Sequence, residues 1–127
     1  MHINEILVAK NMRLKKKVVK ELVYELIIYV LAVLIVSLFW ENNFSTFVLL
    51  AALFILIFSL SYSSRDLLVF LIAGIAGPLG EIVCLFLGIW NYSNPSFLGM
   101  PLWLPLLWGI SGVMLLRISE TVYRLAR

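Results

Sequence analysis

Glu81 is the residue of this chain best placed to do chemistry. It interrupts an apolar run, within a stretch from Gly74 to Trp108 that holds all four prolines, three of the four tryptophans and the only cysteine. Gly74, Gly77, Glu81, Cys84 and Gly88 alternate at intervals of three and four, which on a helix forms one seam. Small residues on such a seam let a second helix come close. Pro78 frees a backbone carbonyl one turn earlier, so a kink is expected beside the acid. An ionised carboxylate deep in a bilayer costs at least about 2.5–3.5 kcal/mol. Glu81 is therefore expected near mid-membrane, buried, neutral and facing the interior of a helix bundle. Two roles follow. It could pin the fourth helix through Trp108 or Asn94, or it could act as a catalytic general acid.

Trp90, Tyr92, Asn94, Trp103 and Trp108 are the candidate substrate-binding residues around it. Trp90 and Tyr92 also suit the aromatic belt of a membrane interface. Trp108 lies deeper and could come level with the acid. A proton donor with aromatic faces in a dry cavity suits cation chemistry on an alkene: the acid protonates, and the rings stabilise the carbocation. Other chemistries find no residues. The repeated glycines lack the Gly-Lys-Ser/Thr of a phosphate loop. His2 and Cys84 make no metal-ligand set, no cofactor motif is present, and no Ser-His-acid constellation can be assembled.

The elements that must position these residues are set by composition. Of 127 residues, 63% are hydrophobic and 13% charged, with mean hydropathy +1.05. Soluble domains are about 25% charged, and a chain this small could not hide so much apolar surface in water. The expected fold is all-α: an integral membrane four-helix bundle with a basic cytoplasmic N-terminal helix, one domain over 1–127. The spans fall near 22–40, 44–62, 67–90 and 101–118. Pro101 and Pro105 stand at the start of the fourth, and Pro105 is expected to kink or tighten it. Glu25 lies one turn inside the first span, where it can reach water or pair with Lys17 or Lys20.

With both termini cytoplasmic, all 10 Lys and Arg fall on the inner side, in the N-terminal tail, at Arg65 and in the C-terminal end. The positive-inside rule gives that orientation, and the cell membrane is the expected location. Lys15, Lys16, Lys17 and Lys20 beside the first span could also contact anionic lipid, at about 1 kcal/mol each. Membrane lipid, a second copy of the chain or another membrane protein are the expected partners. Nucleic acid is not, since no nucleic-acid fold accompanies the charges.

The order Glu81, Gly88, Trp90-x-Tyr92, Gly99-x-Pro101 and Trp108 resembles part of the membrane family of carotenoid biosynthesis proteins that includes bisanhydrobacterioruberin hydratase. The resemblance covers about thirty residues, in a chain much shorter than that family's, and Trp103 and Pro105 have no evident counterparts. It implies Glu81 as the acid and a polyene isoprenoid as the substrate, to which water is added. Two readings of other classes stand beside it. One is a non-catalytic membrane subunit. The other is a small proton-coupled transporter like the small multidrug resistance family, whose membrane acid lies in the first span instead of the third.

Overall fold

The computed structural model describes residues 2–61 and 63–127. They form four helices and no strand: α1 (His2–Phe39), α2 (Asn43–Leu60), α3 (Ser64–Phe86) and α4 (Leu104–Ala126). Three of these, α1, α2 and α3, are long and apolar enough to cross a membrane. Tyr62, the expected end of the second span, lies outside the described residues.

One boundary differs from expectation at the N-terminal end. The basic tail and the first span are one unbroken helix of 38 residues. At about 1.5 Å per residue that is about 57 Å, nearly twice the hydrocarbon thickness of a bilayer. No glycine or proline occurs in residues 2–39 to break it. The following turn closes on Asn42, whose side chain accepts from the Ser45 amide at 3.0 Å and caps α2.

The other two differences frame the site. α3 stops at Phe86, short of Trp90, because Gly88 takes φ +73. The Gly88 amide donates to Leu85 O and the Ile89 amide to Cys84 O, the paired bonds of a Schellman motif. Gly88 is therefore a helix stop, not part of a packing seam, and open space surrounds it. α4 starts at Leu104 instead of Pro101, which puts Pro105 in the first turn, where its missing N–H costs nothing. Pro105 begins a helix and does not kink one. The late start, with Arg117, Glu120 and Arg124 further on, leaves α4 without an apolar stretch as long as those of the other three.

α4 can carry that polarity because it is the hub. It packs against α3, α1 and α2, whereas α1 and α3 make no backbone contact with each other. Ile110, Val113 and Met114 on α4 are buried, together with Ile28 and Ala32 of α1 and Leu50, Leu53 and Ile57 of α2. The α3–α4 contact is the glycine seam. A Cβ on Gly74 would stand 3.3 Å from Pro105 O, one on Gly109 would stand 2.6 Å from the Phe70 ring, and one on Gly112 would stand 2.5 Å from Ala73 Cβ. At Gly77 a Cβ would fall within the Trp108 ring, which lies directly on that glycine.

Candidate functional site

The Schellman turn at Gly88 reverses the chain, and the reversal brings loop aromatics back onto α3. Trp90 Nε1 donates to Glu81 Oε2 at 3.0 Å, and the Tyr92 hydroxyl donates to the same oxygen at 2.9 Å. Oε1 has no hydrogen-bond partner among the described residues. The partners expected for Glu81, Trp108 and Asn94, are not the ones it has. Its place along the helix differs too. It stands about five residues, or about 8 Å, from the end of α3, and it is half-buried instead of enclosed. Both differences follow from the early helix stop. Burial first, and then the Glu81 carboxylate beside it, push the Tyr92 hydroxyl above the ordinary tyrosine value of 10.0.

Because the backbones of α1 and α3 stand apart, a groove runs between them over one face of α4. It holds a cavity of ≈ 470 Å³, with Glu81 and Tyr92 on one wall and Tyr29 and Val36 of α1 on the other. Trp103, Leu107, Trp108 and Ser111 form its floor. One carboxylate thus shares a largely apolar cavity with four aromatic side chains.

The remaining predicted residues divide. Trp103 and Trp108 line the cavity with Glu81 and Tyr92. Trp90 touches Glu81 but lies outside the cavity wall. Asn94 is a staple: its amide donates to Glu41 O at 2.6 Å, and its carbonyl accepts from Asn43 Nδ2 at 2.8 Å. Asn43 also accepts from Trp103 Nε1 at 3.1 Å and donates to Ser96 Oγ at 2.7 Å. These bonds tie the α3–α4 loop to the α1–α2 turn and fix the Trp103 ring. Beyond them, Phe97 to Met100 closes a tight turn with positive φ at Leu98 and Gly99, as in a type I′ hairpin.

A second polar cluster, at the opposite end of α4, was not foreseen. Arg117 Nε donates to Asp66 Oδ2 at 2.9 Å, and its other nitrogens bond Ser61 and the same carboxylate. Arg65 pairs with Glu120, and Arg124 with Glu21. Glu25 is only 6% exposed and bonds Thr121, which is fully buried. It pairs with neither Lys17 nor Lys20. The sequence signal for this cluster was Glu21 and Glu25 one turn apart, facing Arg117, Thr121 and Arg124 at helical spacing, in segments widely separated along the chain.

No family model, no curated protein and no solved structure matches this chain, so the two sites stand on their geometry alone.

Proposed function

We propose that this is an integral membrane protein whose groove takes a long apolar lipid of the isoprenoid class, with Glu81 as the acid at its head. The observation that carries the reading is the single cavity shared by Glu81, Tyr92, Trp103 and Trp108. The groove lies between helices whose backbones stand apart, so a hydrocarbon chain can enter sideways from the bilayer. In this reading α4 is the fourth span, at the centre of the bundle, with the groove open over one of its faces. The end carrying Arg65, Arg117, Arg124 and the N-terminal lysines faces the cytoplasm. Lys15, Lys16, Lys17 and Lys20 are all exposed and stand where α1 would leave the membrane, close to anionic headgroups.

The chemistry fits the acid's surroundings. Trp90 and Tyr92 hold Oε2 and orient the carboxyl group, which leaves Oε1 to carry the proton. That proton forms a new C–H bond at one alkene carbon, using the π pair, and the adjacent carbon becomes the cation. The faces of Trp103, Trp108 and Tyr29 stabilise it. Water then adds through oxygen, and the extra proton returns to Glu81, giving a tertiary alcohol.

The test is hydration of an acyclic polyene by the protein in lipid nanodiscs, run in ¹⁸O-labelled water. The expected result is a labelled alcohol from the parent and none from Glu81→Gln, which keeps the bonds from Trp90 and Tyr92. Equal product from both proteins, or none from the parent with the polyene bound, would reject the acid role.

A further inference from the structure

The cluster at the basic end of the bundle has an unmet demand. It surrounds a cavity of ≈ 370 Å³ about 20 Å along α4 from Trp108. Three of its acids are matched: Asp66 by Arg117, Glu120 by Arg65 and Glu21 by Arg124. The fourth, Glu25, has no cation within ion-pair distance among the described residues. Its oxygens lie 2.8 and 2.9 Å from one hydroxyl, Thr121 Oγ1, which also lies 2.8 Å from Arg117 O. A hydroxyl has one proton to give, so three acceptors share a single donor. Tyr24 lines the same cavity, and its hydroxyl is buried with no partner. Buried polar groups left in this state are costly and call for a missing partner.

We propose that this cavity binds a primary ammonium group. An ammonium brings the positive charge that Glu25 lacks and three N–H donors, enough for Glu25, the Tyr24 oxygen and one further acceptor. A quaternary ammonium has no N–H to give. A metal ion finds no group of three His, Cys, Asp or Glu ligands among the described residues. An anion would have to displace the acids that already hold all three arginines lining the cavity. The ammonium can come from an aminophospholipid headgroup or from a soluble amine.

The experiment measures thermal unfolding of the whole protein in nanodiscs of phosphatidylcholine alone. Glycerophosphoethanolamine, ethanolamine or glycerophosphocholine is added, or part of the lipid is replaced by phosphatidylethanolamine. Ethanolamine compounds should raise Tm by about 5 °C at saturation, and choline compounds should not. A shift from soluble ethanolamine assigns the site to free amines. A shift only from the lipid assigns it to headgroups. Glu25→Gln keeps the Thr121 contact and should bind about tenfold more weakly. If that variant does not fold, Tyr24→Phe should still weaken binding, read as loss of phosphatidylethanolamine retained in native mass spectrometry. Equal responses to ethanolamine and choline compounds, or variants that respond like the parent, would overturn the proposal.

Discussion

Each end of the bundle presents a carboxylate, and the two are held in opposite ways. At the loop end, Glu81 is half-buried and takes bonds from two aromatic donors lying within eleven residues of it in sequence. At the basic end, Glu25 is buried among ion pairs and meets Thr121, 96 positions away. The loop end is built from local chain reversal over an open groove. The basic end is built from long-range pairs that join all four helices. A site that exchanges a ligand can tolerate the first construction. An anchor that holds four helices in register needs the second.

This contrast predicts unequal costs of mutation, the largest at the basic end. Arg117→Leu leaves Asp66 nearly buried and unpaired, and it frees Ser61 as well. Unfolding in mild detergent should show a loss of about 3–5 kcal/mol. A loss below that of any loop-end variant would remove the distinction between anchor and site.

Next comes the α3–α4 seam that links the two ends. Gly77→Leu must push aside the Trp108 ring, at a cost of about 1–3 kcal/mol. It should also close part of the groove and lower retention of bound lipid. If stability falls but lipid retention does not, Trp108 is a packing residue only.

Tyr92→Phe removes one of the two donors to Glu81 and should cost about 1 kcal/mol. Its sign with pH is distinctive. The Tyr92 hydroxyl is raised above 10.0 in the folded protein, so the folded state holds its proton where the unfolded chain releases it. That contribution is complete below pH 10 and is lost as pH rises from there toward the higher folded value. The parent should therefore lose stability above pH 10 along a slope that Tyr92→Phe reduces. Identical slopes would show that Tyr92 is not coupled to Glu81.

The smallest expected effect is a gain. A Cβ on Gly80 meets nothing, so Gly80→Ala should stabilise α3 by about 0.5–1 kcal/mol and leave the Glu81 contacts in place. A loss instead would mean that the turn before Glu81 needs glycine's freedom.

The same contrast explains what the sequence revealed. Helix content and the close approach of a second helix at Gly74 and Gly77 were legible, because both rest on periodicity and residue size. The cluster of Glu81 with Tyr92, Trp103 and Trp108 was legible too, since these residues are near in sequence and chemically conspicuous in an apolar run. The partners of Glu81 were misjudged because they depend on where α3 stops. Gly88 fits a helical seam by spacing as well as it fits a helix stop by conformation, and only its positive φ separates the two. Glu25 was misread for a different reason. Lys17 and Lys20 are its sequence neighbours, whereas Thr121 becomes its neighbour only when α4 packs at the centre.

The central claim is that the groove beside Glu81 holds an apolar chain. It is tested most directly by photo-crosslinking with a diazirine-bearing isoprenoid in nanodiscs, followed by peptide mapping. The account predicts saturable labelling concentrated at Tyr29, Trp103, Trp108 and Ser111, competed by unlabelled polyene. Labelling spread equally over outward-facing residues such as Ile55 and Leu56, with no saturation, would show ordinary bilayer contact and contradict it.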